Sequence, residues 1–164
     1  MVDAKIIIVD EKDRIINCKE RIKLNREEIY RVSALWIKNS NGESLLAQRS
    51  FSKKHSPGKW GPAVAGTVEE GETYDSNIKK EAEEELGLKK RLFKKAHKAR
   101  VKTKYNYFCQ WYTATIDRKI EDFKIQKEEV EAIKWFSKEE LIEELDRNQK
   151  SFLKSIKDCV DWFG

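Results

Sequence analysis

Apolar residues recur at every fourth position in Tyr74, Ile78, Ala82 and Leu86, which is the spacing of one face of an α-helix. At roughly 100° per residue, Glu81, Glu84 and Glu85 gather within about a third of the helix circumference beside that stripe. Lys79, Lys80 and Glu83 fall on the far side. Three like charges on neighbouring positions repel, so a helix that keeps them together needs a cation or another partner between their oxygens. Thr73 or Asp75 can cap the start of this helix, and Gly87 stands where a left-handed residue would end it.

The rest of the chain divides by its period. Short β-rich runs at Lys5 to Val9 and Ile15 to Cys18 flank the polar Asp10 to Asp13, which predicts an N-terminal hairpin over about 5–18. Val32 to Lys38 and Ser44 to Gln48 flank Asn41-Gly42, a second hairpin signal. Ser50 to Trp60 reads as loop, and Ala63 to Val68 as a short apolar strand leading into the helix. Tyr105 to Ile116 is aromatic and β-branched, as a central strand is. Glu131 to Phe136 predicts another strand, and Ser137 to Glu140 a capping box that opens a helix at Leu141. A final amphipathic helix is expected over about 149–162. Strands and helices mix without regular βα alternation, so a doubly wound sheet is excluded in favour of an α/β fold of the α+β type.

Composition narrows the function classes. The chain has 164 residues, the length of one domain. Hydrophobic residues make up 39% and charged ones 38%, so KKEAEEEL taken alone also reads as a solvated helix face. No apolar stretch is long enough for a membrane span, and acids on both sides of the first apolar run argue against a signal peptide; a cytoplasmic protein is expected. Cys18, Cys109 and Cys159 are odd in number and far apart, which fits reduced thiols and neither a disulfide framework nor a zinc site. The net charge of +5 comes from lysine doublets interleaved with acids, so nucleic-acid binding is possible and not favoured. One richer patch, Lys89, Lys90, Arg91, Lys94, Lys95, Lys98, Arg100, Lys102 and Lys104, reads as a solvated rim or as an electrostatic funnel for a phosphorylated substrate.

Gly66, Glu72, Glu81, Ala82, Glu84, Glu85, Gly87 and Leu88 stand at the spacing of the 23-residue signature of the Nudix hydrolases, and over 66–88 the chain resembles that family. Lys80 departs from the signature, which carries Arg; charge is kept while the rigid bidentate fork is lost. The resemblance implies a mixed β-sheet sandwiched between α-helices, with residues 1–164 as a single domain. It also implies that Glu81, Glu84 and Glu85 ligate a metal, that Glu72 is an auxiliary ligand or orienting group, and that the Gly66 carbonyl is a further ligand. An all-oxygen set suits Mg2+ or Mn2+.

Water would be the nucleophile and a small-molecule diphosphate or nucleotide the substrate. The base that activates the water is Glu81 or an acid of the pair Glu128 and Glu129, with Glu129 favoured. Arg49 and Lys54, with Gln48, Lys53 and Lys59, flank a Pro57-Gly58 turn and are placed to hold phosphate; Trp60 is expected to line the cleft. Residues 31–72 also resemble the branch containing isopentenyl diphosphate isomerase. That enzyme needs a Cys and a His near the position of Trp60, and here Gly61 to Thr67 contain neither. Hydrolysis is therefore preferred over isomerisation; RNA decapping and non-catalytic nucleotide binding are further alternatives. The N-terminal hairpin leaves a homodimer possible.

Overall fold

The period-two runs become strands and the period-four stripe becomes a helix. The computed structural model describes residues 4–89 and 92–164. In chain order the elements are β1 (Lys5–Val9), β2 (Ile15–Glu20), β3 (Ile29–Lys38), β4 (Ser44–Arg49), β5 (Trp60–Pro62), β6 (Val64–Thr67), α1 (Tyr74–Leu86), β7 (Lys94–Lys102), β8 (Asn106–Thr115), β9 (Val130–Phe136), α2 (Lys138–Arg147) and α3 (Ser155–Phe163). The hairpin between β3 and β4 turns where Asn41-Gly42 predicts it, and the Asn39 side chain accepts hydrogen bonds from the Asn41 and Glu43 amides, each at 3.0 Å.

The strands join in one mixed sheet with a spatial path β2-β1-β3-β4-β5. β3 is its trunk. β8 runs parallel beside it from Tyr30↔Tyr107 to Lys38↔Thr115, while β6 lies antiparallel on its other side, with Ser33↔Gly66 and Ala34↔Ala65 opposite each other. β7 pairs with β8, and β9 with β4. Because side chains alternate across a strand, Leu35 and Ile37 meet Ile78, Ala82 and Leu86 of α1 on one face. Ala34 and Trp36 meet Leu141 of α2 and Ile156 and Cys159 of α3 on the other. Two cores on opposite faces make the expected sandwich, an α+β fold.

Three elements differ from the sequence-based expectation. α2 starts at Lys138, not Leu141, because Ser137 is its cap, its hydroxyl accepting from the Glu140 amide at 3.1 Å. The C-terminal helix is interrupted. A 3-10 turn over Gln149–Ser151 gives way to extended Phe152, which bridges to Trp60; the Leu153 amide donates to the Trp60 carbonyl at 2.8 Å, and a backbone so engaged cannot be helical. The basic stretch after α1 is strand β7, and Lys90 and Arg91 of that patch lie outside the described residues. Among the described residues, no helix is long and apolar enough to cross a membrane, and all three cysteines are free.

Candidate active site

Helix α1 is held at both ends as its sequence dictates. Thr73 and Ser76 form a reciprocal capping box, the Ser76 amide donating to the Thr73 hydroxyl and the Thr73 amide to the Ser76 hydroxyl. Gly87 ends the helix at φ 70, a left-handed conformation that glycine adopts without strain. Ile78, Ala82 and Leu86 are fully buried beneath it, which fixes the rotation of the helix and the direction of its acids.

Glu81 packs under Gly66. A Cβ at Gly66 would sit 2.4 Å from the Glu81 Cγ, so only glycine lets strand β6 and this carboxylate approach so closely. Burial, followed by the Glu84 and Glu72 charges, raises the Glu81 carboxyl, while Lys80 opposes the shift. Glu85 is 9% exposed, and burial together with the charges of Glu81 and Glu129 pushes its carboxyl up to about 9. Glu84 is exposed beside them. Glu129 comes from the turn before β9, where its carbonyl accepts from the Ser50 amide and its carboxylate pairs with Lys53. Three carboxylates from two distant segments thus share two lysines, Lys53 beside Glu85 and Glu129 and Lys80 beside Glu81, an excess of negative charge that a divalent cation would offset.

Glu72 is held from three sides. The Glu69 amide donates to it at 2.7 Å, Asn77 Nδ2 at 3.2 Å, and Lys80 Nζ lies 2.8 Å from its second oxygen. Burial works against the Glu72 carboxylate, yet these partners keep it below the usual range. Lys80 is therefore not on the far side of the helix, as the wheel suggested; its flexible stem folds back toward Glu72, Glu69 and Glu81. Asn77 was missed by sequence reasoning. It is buried, accepts from the Ser33 hydroxyl and donates to the Thr67 carbonyl at 3.1 Å, locking α1 to β3 and β6. Its signal was a polar residue next to Ile78 on the face that packs against the sheet.

The expected substrate side is less uniform. Arg49 ends β4 and its Nε donates to the His55 carbonyl at 3.0 Å, bracing the loop over 50–59. Lys54 is exposed on that loop. Trp60 is half-buried, edge-on to Phe136 at 5.5 Å, in the wall formed with Phe152. Ala65, in the segment where an isomerase would need its thiol, is exposed, whereas Cys109 is buried in β8 and burial pushes its thiol up, out of reach of an acid–base role.

A divalent cation passes the test of donor chemistry: the ligands would be carboxylates and a carbonyl, all oxygen. Among the described residues no three His, Cys, Asp or Glu side chains already converge as a ligand set, so Glu84 and its neighbours would have to turn toward a common point. For exposed Glu84 such a rotation is a change of rotamer only.

Comparison with known proteins agrees with this geometry. A family model described as NUDIX domain matches residues 28–156. The chain is 31% identical to an uncharacterized Nudix hydrolase of Pseudomonas aeruginosa, over 87% of this chain and 84% of that one. It is 30% identical to an isopentenyl-diphosphate Delta-isomerase of Serratia proteamaculans, over 56% of this chain and 51% of the isomerase. Among solved structures it is similar to a Deinococcus radiodurans protein with a TM-score of 0.83 at 22% identity, covering 97% of this chain and 98% of that one. A MutT protein of Methanosarcina mazei is similar with a TM-score of 0.67 at 20% identity, covering 82% and 92%.

Proposed function

The chain belongs to the Nudix family of hydrolases, and from that premise we propose that residues 1–164 act as one cytoplasmic domain that cleaves the pyrophosphate bond of a nucleoside diphosphate linked to another moiety, with Mg2+ or Mn2+ as cofactor. The observation that carries this reading is Glu81 packed under Gly66 with Glu85 and Glu129 crowded on it, where burial and then the Glu81 and Glu129 charges push the Glu85 carboxyl up to about 9. A buried acid so disfavoured serves no packing purpose; it is what a cation site looks like before the cation enters.

Glu81, Glu84, Glu85 and the Gly66 carbonyl would hold the cation, which supplies Lewis-acid polarisation of the phosphoryl oxygens and offsets charge on the leaving group. Glu72, fixed by Lys80, orients Glu81. Glu129 takes the proton from the attacking water; its pairing with Lys53 holds it at the cleft edge until an anionic substrate competes for the lysine. Arg49 keeps the loop shaped, Lys54 meets the phosphates, and Trp60 lines the wall. Isomerisation lacks an agent, since Ala65 has no proton to give and Cys109 is shut away.

The decisive experiment is phosphate release from nucleotide sugars, dinucleoside polyphosphates, nucleoside triphosphates and capped RNA, with and without Mg2+ or Mn2+. Cation-dependent turnover of at least one substrate is expected, falling by about a hundredfold or more in Glu84→Gln and Glu85→Gln. Turnover that persists in both variants, or no turnover of any substrate, overturns the reading.

A further inference from the structure

The sheet forks at the middle of its trunk strand. β8 fills one edge of β3 along its length, and the other edge is shared: β4 pairs with β3 only at Ile37 and Lys38, after which β3 pairs with β6 and β4 with β5. The acids stand on both prongs. Gly66, with Glu81 beneath it, belongs to the β3–β6 prong, while Glu129 comes just before β9, which pairs with β4. The loop over 50–59 starts after Arg49 and ends before Trp60, so both of its roots lie on the β4 prong. Its tip touches the other prong: His55 Nδ1 lies 3.2 Å from the hydroxyl of Tyr105, with the rings edge to face, and Tyr105 stands just ahead of β8, the partner of β3. Among the described residues no other hydrogen bond joins this loop to the β3 prong.

The loop holds its own shape. The Gly58 amide donates to the Arg49 carbonyl, Gln48 Nε2 donates to the Gly58 carbonyl and Arg49 Nε to the His55 carbonyl, each at 3.0 Å. The Phe51 ring lies over Gly58, where a Cβ would come within 2.4 Å of it. Yet none of residues 51–59 is buried, so no core contact pins the loop across the fork. A segment shaped by internal hydrogen bonds and tied down by exposed polar contacts opens at far lower cost than the sheet beneath it. We propose that residues 50–59 form a strap across the fork and that His55 and Tyr105 are its catch, acting as positioning residues for the reaction. The second tie, Lys53 to Glu129, lies on the strap's own prong and is given up when a substrate phosphate takes the ammonium. From that moment the tip is held over the cleft by the catch alone. The catch keeps Lys53 on the phosphates in ground state and transition state alike, which is uniform binding and acts on KM, not on kcat. The kinetic consequence rests on the proposed hydrolysis; the catch itself is a property of the free protein.

Two measurements test this. Hydrogen exchange of the free protein, followed by mass spectrometry on the peptide over 50–60, should be about fivefold faster in Tyr105→Phe and in His55→Ala, the effect of one exposed hydrogen bond. The double variant should exchange no faster than either single one, because both remove the same contact. His55→Asn, which keeps an amide near the place of Nδ1, should restore most of the protection, and exchange in α1 should stay as in wild type. On the best substrate, Tyr105→Phe should raise KM about fivefold and keep kcat within about twofold of wild type, whereas Glu129→Gln should lower kcat with KM near wild type. Unchanged exchange over 50–60 in both single variants, additive gains in the double variant, or a lowered kcat at unchanged KM in Tyr105→Phe overturns the inference. Absence of turnover on every substrate would count against the hydrolase reading and leave the exchange rates to decide the strap by themselves.

Discussion

Lys80 Nζ lies 2.8 Å from one carboxylate oxygen of Glu72 and 3.7 Å from Glu81, joining the loop acid to the first acid of the helix through a single ammonium. Burial disfavours that ammonium, yet Glu72 and then Glu69 hold its pKa above the usual lysine value, so it stays charged. The contact works as a point charge, and a guanidinium of similar reach should serve as well. Lys80→Arg is expected to keep kcat within about threefold of wild type, whereas Lys80→Met should lower it by about tenfold or more, because Glu72 and Glu81 then repel without a mediator. Steady-state kinetics on the best substrate decides this; equal rates in both variants would remove Lys80 from the site.

Gly66→Ala places a methyl 2.4 Å from the Glu81 Cγ, 2.7 Å from its Cδ and 3.0 Å from its Oε1, so the clash runs along the outer length of that side chain. The collision cannot be relieved without moving Glu81 or strand β6. A destabilisation of about 1–3 kcal/mol is expected in chemical denaturation, together with loss of most activity. Wild-type activity in Gly66→Ala would show that the close approach is dispensable.

Glu85 is a cost to the protein without a cation. Replacing it by Gln keeps the shape and removes a buried acid crowded by Glu81 and Glu129. Thermal melting at pH 8 in EDTA should therefore give a higher Tm for Glu85→Gln than for wild type. Added Mg2+ should raise the wild-type Tm and leave the variant's nearly unchanged. A lower Tm for the variant in EDTA would contradict the charge-crowding account.

Asp13 supplies the acid limb of stability. It stands at φ 61 in the first hairpin and its carboxylate accepts from Arg31 Nε at 2.8 Å, from the Tyr74 hydroxyl at 2.9 Å and from Lys98. Burial pushes its carboxyl up, and the hydrogen bonds from Lys98, Arg31 and Tyr74 outweigh that, leaving it below the usual value of 3.8. A carboxyl lowered on folding binds fewer protons in the native state, so its contribution is complete above about 4 and is lost as pH falls through the lowered native value. Asp13→Asn tolerates the left-handed backbone while losing the charge, and should cost about 1.5–3 kcal/mol at pH 7. Urea denaturation at pH 7 and at pH 3 checks this, since the difference between the two proteins should shrink at the lower pH.

Local features were legible in the sequence because their causes are local. Thr73, the apolar stripe and Gly87 define α1 without help from the rest of the fold, and Asn41-Gly42 defines its turn. Strand β7 was hidden because a bulge between Lys95 and Lys98 breaks the period of two just where the inward residues Ala96 and Ala99 would have shown it. The break in the last helix was hidden because its cause, the Trp60 backbone, lies far away in sequence. The glutamates of the helix face were readable as a set. The approach of Lys53 to Glu129, 76 residues apart, and of both to Glu85 depends on how β4 and β9 pair, which no local pattern encodes.

The bridge between Trp60 and Phe152 has a consequence in time. The backbone of β5 is completed by residues that leave the ribosome about ninety positions later, and until then the Trp60 carbonyl lacks its Leu153 donor, while the Trp60 ring has Phe136 edge-on to it. The acidic helix and its caps can form early, but the cleft around them closes last. A nascent chain halted before Phe152 would carry the acids of α1 with the contact between Trp60 and the C-terminal segment still unmade.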